Sequence, residues 1–409
     1  MGRRQRIVVW AAGVVAGVLA AVSAMPTATA AAEPRAGSGA VRFATFNASL
    51  NRSEEGRLLA DLSTPDDPQA RKVAEVLQRT RPDVVLLNEF DFVEGGRAVD
   101  AFHRNYLEVG QGGASPLRYP YAWTAPVNTG VPSGFDLNND GRVGGGDDAW
   151  GFGLFPGQYG MVVLSRHPID TAAARTFQHF RWRDMPGASL PDDVGTARPA
   201  DWYSDEELAR FPLSSKSHWD LPVLVGGRRV HLLVSHPTPP TFDGPEDRNG
   251  RRNHDEIRFW ADYVRPGRAD YVYDDAGRRG GLPAGEPFVV AGDQNADLLD
   301  GDSVDAAIDQ IRRAPRVIDP FPGSAGAAWA AVLQGGANSR HRGPSFLDTG
   351  DFDDRSVGNL RVDWVLPSHP LSPVRSGVFW PLHGDPLSRL NDASDHHLVW
   401  VDLLVPGAR

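Results

Sequence analysis

Short apolar runs that each stop at a polar side chain constrain this chain more than any other feature. Four of them are VRFATFN ending at Asn47, DVVLLNEF holding Glu89, VHLLVSHP holding His236, and FVVAGDQN ending with Asp293 and Asn295. A fifth motif, Ser-Asp-His-His at 394–397, sets Asp395 and His396 just before the run HLVWVDLLV. Runs this short, rich in Val and Leu, read as buried strands of an α/β sheet. Open α/β sheets bind ligands at strand ends. Carboxylates and amide oxygens there suit a hard cation such as Mg²⁺, and His beside Asp suits proton transfer. The set predicts metal-assisted hydrolysis of phosphate esters.

The segments between the runs have helical period. Gln69–Arg79 aligns Ala70, Val73, Ala74 and Leu77, and His254–Val264 aligns Ile257, Trp260, Ala261 and Val264. Asp302–Arg312 aligns Val304, Ala307, Ile308 and Ile311. Further strands are expected at Val84–Leu87, Gly160–Ser165, Phe288–Ala291, Arg361–Leu366 and His397–Val405. Leu221–Val225 and Arg229–Ser235 flank Gly226-Gly227, a hairpin signal. The stretch from Phe177 to Ser217 is polar, contains prolines, and reads as a long surface insertion. Motif-bearing strands come from both ends, so residues 41–406 read as one catalytic domain.

The N-terminus has the pattern of a secretory signal over residues 1–30. Arg3, Arg4 and Arg6 precede an apolar stretch from Ile7 to Met25, and Ala28-Thr29-Ala30 forms a small-x-small cleavage site. Residues 31–40 read as a linker, and the mature protein is expected outside the cell with no membrane insertion. There is no cysteine, which excludes disulfide staples, thiol nucleophiles and Cys–zinc sites. The net charge of −10 gives no basic footprint for nucleic acid.

Taken singly, each polar residue has two readings. Glu89 closes an apolar run, where a carboxylate is costly unless paired or metal-bound; a solvated strand-end acid fits equally. Asp293 and Asn295 lie two apart and can face one phosphate, or they can form an Asx-turn. Asp363, in Arg-Val-Asp-Trp-Val, is an acid inside an apolar run and needs a partner. Pairing with His396 would supply it, orienting the imidazole and raising its pKa. His231 and His236 are five apart and point to opposite faces of a strand, so His236 is the site candidate and His231 the structural one.

Residues 136–147, DLNNDGRVGGGD, match a calcium-loop pattern. Asp136, Asn138 and Asp140 would give side-chain oxygens, Arg142 its carbonyl and Asp147 the closing carboxylate, with Gly141 at the sharp turn. Asp stands where sensor loops carry Glu. The expectation is a structural Ca²⁺ beside the site; a solvated turn is the alternative.

Together the motifs resemble the endonuclease/exonuclease/phosphatase superfamily, the fold of pancreatic deoxyribonuclease, bacterial sphingomyelinases and inositol-polyphosphate 5-phosphatases, and point to a secreted bacterial member. The resemblance spans Val41 to Val405 in the family's order. It implies an α/β four-layer sandwich, with two mixed β-sheets packed face to face and flanking helices. Asn47 and Glu89 would hold Mg²⁺ or Mn²⁺, with Asp395 near it. Asp293 and Asn295 would position the water and the scissile phosphate, His236 would stabilise phosphoryl oxygens, and Asp363 would orient His396. The partner would be a phosphate ester in a small molecule, a lipid head group or a nucleic acid; no protein partner is expected. Asn249, Arg251, Arg252, Asn253 and His254 are candidates for substrate contact, as is the cluster from Asn338 to Arg342; a solvated loop is the competing reading of the former. An extracellular nuclease and a calcium-stabilised binding protein without catalysis are the alternative functions.

Overall fold

The computed structural model describes residues 39–408, so the signal-like segment 1–30 and most of the 31–40 linker lie outside the described residues. Thirteen strands are formed among those residues: β1 (Val41–Asn47), β2 (Val84–Asn88), β3 (Tyr121–Trp123), β4 (Met161–Ser165), β5 (Arg175–Thr176), β6 (His218–Val225), β7 (Arg228–Ser235), β8 (Phe288–Asp293), β9 (Gly350–Asp351), β10 (Asn359–Leu360), β11 (Asp363–Pro367), β12 (Ser372–Val378) and β13 (Val399–Leu404). One sheet has the order β12-β13-β1-β2-β4-β3 and the other β11-β8-β7-β6-β5. Both are mixed: β1 runs parallel to β2 and antiparallel to β13, while β8 runs parallel to β7 and antiparallel to β11.

Strand alternation creates the layers. Phe43, Leu86 and Val163 from the first sheet meet Leu232, Val289 and Val365 from the second in one buried cluster. The opposite faces carry the next residues along each strand. Ala44, Phe46, Val85 and Leu87 pack on Val73, Ala74 and Leu77 of helix α1 (Pro68–Thr80). Leu233, Val290 and Trp364 pack on Ile257 and Trp260 of helix α2 (Arg248–Tyr263). The result is four layers, helix–sheet–sheet–helix. Truncating a fully buried inter-sheet residue, Leu232→Ala for example, would cost about 2–5 kcal/mol. Helix α1 starts where its local chemistry says it should: Asp67 accepts from Ala70 N at 2.7 Å, and Pro68 occupies the first turn.

Three expectations need correction. Residues 177–217 are no surface insertion, because Phe177, Phe180, Trp182, Phe211 and Leu213 are buried in the outer core against α2. Their anchors come from turns and bridges without a regular period, which hides them from pattern reading. The segment Asp302–Arg312 is not one helix. Asp305 (φ 48°) and Ala306 (φ 49°) break it, leaving α-helix only over Asp309–Arg312, although Ala307, Ile308 and Ile311 are buried as expected. Helix α2 begins at Arg248, six residues before the expected start. Among the described residues no helix is long and apolar enough to cross a membrane.

Candidate active site

The alternation that builds the core also aims the polar residues. Asn47 lies on the same side of β1 as Phe43, Asp293 on the same side of β8 as Val289, and Asp363 on the same side of β11 as Val365. His236 continues β7 on the side of Leu232. All four therefore face the crevice between the sheets, at the end where the strands stop. The register sets Asp363 directly opposite Asp293.

Contacts at this end cross from sheet to sheet. Asn47 Nδ2 lies 3.0 Å from Glu89 Oε1 and 3.1 Å from Asp293 Oδ2, and Asp293 N donates to Asn88 Oδ1 at 3.2 Å. Asn295 N donates to Asp293 Oδ1 at 2.8 Å. His236 Nε2 and His396 Nε2 stand 3.4 and 3.7 Å from Asp293 Oδ2. Behind His396, its Nδ1 lies 2.8 Å from Asp363 Oδ2, which also accepts from Thr349 Oγ1 at 2.8 Å. Gly292 permits this convergence: a Cβ there would lie 2.1 Å from the Ser235 carbonyl oxygen on β7.

The electrostatics follow from burial and charge. Burial alone would raise the Asp293 carboxyl, but His396 and His236 hold it below the usual carboxylate range. Burial would lower His396, yet the charges of Asp363 and Asp293 on either side raise it well above an ordinary imidazole. Burial raises the Asp363 carboxyl, with His396 opposing. The array is an acid held ionised and an imidazole held protonated 3.7 Å apart, backed by a second buried acid.

The donor set fits a hard cation. Glu89 Oε1 and Asp293 Oδ2 both converge on the Asn47 amide. Its N and O are near-isosteric, so rotating the amide by half a turn presents an all-oxygen set of two carboxylates and a carbonyl. Asn51 Nδ2 steadies Glu89 from behind at 2.8 Å, and Glu89 adopts a left-handed backbone (φ 57°), a conformation that costs about 1–2 kcal/mol without a constraint. Asp395 is exposed at the rim, where it accepts from Ser49 Oγ at 3.2 Å. Asp293, Asp363 and His396 also bring three ligand atoms within 4.8 Å of one another. In this trio His396 Nδ1 is committed to Asp363, which leaves Nε2 on the side of Asp293.

The sequence matches the Endonuclease/Exonuclease/phosphatase family over residues 44–396, from β1 to His396. The chain belongs to this family. It is accordingly a metal-dependent phosphoester hydrolase of the nuclease, phosphodiesterase or phosphatase type, with the family's two mixed sheets and flanking helices. Similar solved structures include an endonuclease/exonuclease/phosphatase from Beutenbergia cavernae, 19% identical, covering 90% of this chain and 72% of that one, with a TM-score of 0.48. An endonuclease/exonuclease/phosphatase family protein from Leptotrichia buccalis is 12% identical, with coverages of 89% and 100% and a TM-score of 0.45. A mannosyl-6-phosphatase from Bacteroides thetaiotaomicron is 12% identical, with coverages of 89% and 100% and a TM-score of 0.42. No curated protein shows significant similarity to the chain.

Glu89, His236, Asp293, Asn295, Asp395 and His396 of this constellation line a cleft of about 970 Å³. Of the five residues expected to touch substrate, Asn249 and Arg252 line this cleft, while Arg251, Asn253 and His254 do not. They belong to the first two turns of α2 rather than to a loop. Asn253 is fully buried and donates to the Thr238 and Gln294 carbonyls, and His254 faces Asp255 at 3.0 Å. The cluster from Asn338 to Arg342 is also structural: Asn338 accepts from Asn359 N, and His341 Nε2 lies 2.8 Å from the Val357 carbonyl. His231 pairs with Asp220 at 2.6 Å, away from the site, as its strand parity requires.

The 136–147 loop turns its oxygens inward. Asp136 accepts from Asp140 N and Gly141 N, Asn138 from Asp140 N, and Asp140 from Arg142 N. Asp148 is buried and accepts from Leu137 N and Gly144 N at 2.7 Å each, whereas Asp147 is exposed on the cleft wall.

Two cleft-side positions escape the motif reading. Glu256, fully buried on α2, accepts from Ser215 N (2.6 Å), Ser215 Oγ (3.0 Å) and Thr238 N (2.6 Å), so it ties two cleft segments together. Lys216, beside Ser215, is only 6% exposed and lines the cleft. A signal for it exists: the chain has 42 Lys and Arg together, yet Lys72 and Lys216 are its sole lysines.

Proposed function

We propose that the chain is a secreted, Mg²⁺-dependent phosphoesterase that hydrolyses phosphate mono- or diesters by in-line attack of water on phosphorus. The observation that carries this reading is the Asp293 carboxylate at the end of the inter-sheet crevice, flanked by His236 and His396 and reached by Asn47 from the other sheet. Asn47 and Glu89 would hold the cation, with Asp395 beside it at the rim. A bound divalent cation supplies positive charge to the phosphoryl oxygens and the departing alkoxide.

The chain's own groups do the rest. Asp293 holds the attacking water and takes its proton; the imidazolium of His396, oriented by Asp363, gives its own proton to the departing alkoxide, and the water's proton then passes from Asp293 to His396 to restore the pair. The water oxygen forms the new P–O bond as the ester P–O bond breaks, and no covalent enzyme intermediate is formed. His236 offers an N–H donor to a phosphoryl oxygen in a site with little water, where such donors act most strongly. Secretion is supported by the N-terminal signal pattern. A structural Ca²⁺ in the 136–147 loop is supported by its inward-turned oxygens.

The test is turnover of a bis-aryl phosphodiester, plasmid DNA, sphingomyelin and inositol phosphates by purified mature protein, with Mg²⁺ and then with chelator. Chelator-sensitive hydrolysis of at least one is expected, reduced about 10²–10⁴-fold in His396→Ala and Asp293→Ala. Full activity in chelator, or unimpaired variants, would overturn the reading. Protein found only in the cell pellet of the source organism would overturn secretion.

A further inference from the structure

We propose that the cleft takes an ester carrying a single phosphate, anchored by the Lys216 ammonium, and rejects substrates with a second negative charge near the first. The inference rests on the phosphoesterase reading above and names its substrate class.

The charge census of the cleft carries it. Besides the two site histidines, eight carboxylates line the cleft against three Lys and Arg side chains. Two of the three are committed elsewhere. Arg248 is ion-paired with Glu246, and the Arg252 guanidinium donates to the carbonyls of Leu213, Trp150 and Pro212. Lys216 is the third. It is more than nine-tenths buried, it opens on the cleft, and among the described residues its ammonium has neither a hydrogen bond nor an ion pair. Glu256 bonds Ser215 N, next to Lys216, and Thr238 N, two residues beyond His236, so Lys216 stands on the His236 side of the cleft. A buried ammonium with no protein acceptor is costly unless a ligand completes it. A phosphoryl oxygen at the Asp293 site is such a ligand.

No comparable cation remains for another phosphate. Nucleic-acid binding draws its affinity from Lys and Arg contacts to successive phosphates. Here the cleft walls also hold Asp147 and Asp302, both exposed. Phe152 (54% exposed) and Phe242 (83% exposed) add apolar surface at the mouth, suited to an uncharged or cationic alcohol. The cleft thus offers one strong anion position, an acidic wall and aromatic faces.

The experiment compares two synthetic substrates: the p-nitrophenyl ester of thymidine 5′-phosphate, and the same ester bearing a 3′-phosphate. In Mg²⁺ and low salt the extra phosphate is expected to lower kcat/KM by about tenfold or more, a penalty that shrinks as salt screens it. Asp302→Lys should narrow the ratio between the two esters. Lys216→Met should lower kcat/KM on both by about 10²-fold and weaken competitive inhibition by inorganic phosphate; Lys216→Arg, which keeps the charge, should restore part of each. Equal or faster turnover of the doubly phosphorylated ester overturns the inference and leaves the hydrolase reading standing. So does a folded Lys216→Met protein, checked by its thermal melt, with unaltered inhibition by phosphate. Turnover of neither ester nor of the wider substrate panel counts against the hydrolase reading instead. In that case a fluorescent single-stranded oligonucleotide decides the inference: saturable binding overturns it, and none supports it.

Discussion

Asp363→Asn isolates what a buried acid contributes through its histidine. Thr349 Oγ1 accepts from Val362 N at 3.1 Å and Asp363 N at 3.0 Å, so its own proton must go to Asp363 Oδ2. That oxygen position therefore demands an acceptor. An Asn would keep its carbonyl there, still accepting from Thr349 and from His396 Nδ1, and would turn its NH₂ toward the Oδ1 position, where no partner lies. Imidazole geometry survives, but the negative charge is lost. At an effective dielectric of about 20, unit charges about 4 Å apart interact by about 4 kcal/mol, which is about three decades in rate if the charge acts fully in the transition state. A fall of about 10²–10⁴-fold in kcat/KM is expected, with a destabilisation of about 1–3 kcal/mol from the unsatisfied NH₂. The decisive assay is a double-mutant cycle. Because Asp363 acts through His396, Asp363→Asn in a His396→Ala background should cost less than about threefold more. Multiplying losses would refute the coupling, and a fully active Asp363→Asn would refute the role.

Three other outcomes follow from buried titratable groups and from the loop. Burial pushes His218 down to about 4 and His397 to about 3. Their folded values lie below the unfolded value of about 6.5, so their stability contribution is whole above that pH and is lost as pH falls toward those values; in urea unfolding between pH 7.5 and 5 the wild type should lose about 2 kcal/mol more than a His397→Phe variant does, and equal changes in the two would contradict it. Burial, with Asp297 and Asp300 nearby, raises the Asp348 carboxyl to about 9. Its folded value exceeds the unfolded one, so it favours folding at low pH and loses that contribution as pH rises toward 9; Asp348→Asn should raise the melting temperature most near pH 8–9, and a destabilised variant there would count against it. Ca²⁺ should raise the melting temperature of the wild type, and Asp140→Ala should erase the increment; persistence of the shift in the variant would remove the ion from the 136–147 loop.

The sheets were legible because a strand writes its burial locally. Phe43, Leu86, Leu232 and Val289 alternate with residues of the outer layers, and parity then fixes which face Asn47, Asp293 and His236 share. The pairing of Asp363 with His396 was legible for a different reason, since an acid inside an apolar run has few ways to be satisfied. The rest was not, because its causes are distant in sequence. Phe177 and Phe180 are buried by Phe259 on α2, about eighty residues on, with ring centroids 5.0 and 5.4 Å away. No local pattern announces that contact. Helix α2 was begun too late because its first two turns, Arg-Asn-Gly-Arg-Arg-Asn, are polar and lack an apolar stripe; their buried members Arg252 and Asn253 satisfy backbone carbonyls instead. Lys216 carried a compositional signal, its rarity, but nothing in its neighbours tells a cleft lysine from a surface one.

The division of labour in the molecule follows from these two kinds of residue. The residues proposed to carry the chemistry stand at strand ends, where the neighbours on both sides of β1 and β8 leave little freedom to Asn47 and Asp293. The cleft walls come largely from segments between strands, where binding residues are generally carried. These segments are nevertheless held firmly, because Glu256 satisfies donors from Ser215 and Thr238 at once. Through those bonds α2 sets the position of Lys216 relative to His236, two residues before Thr238. The aromatic cluster of 177–217 in turn fixes α2 from its outer side, through Phe177, Phe180 and Trp182. The segment that sequence pattern could not resolve is thus the one that braces the cleft wall, so substitutions at its buried aromatics should act on substrate binding and stability together while leaving the strand-end constellation in place.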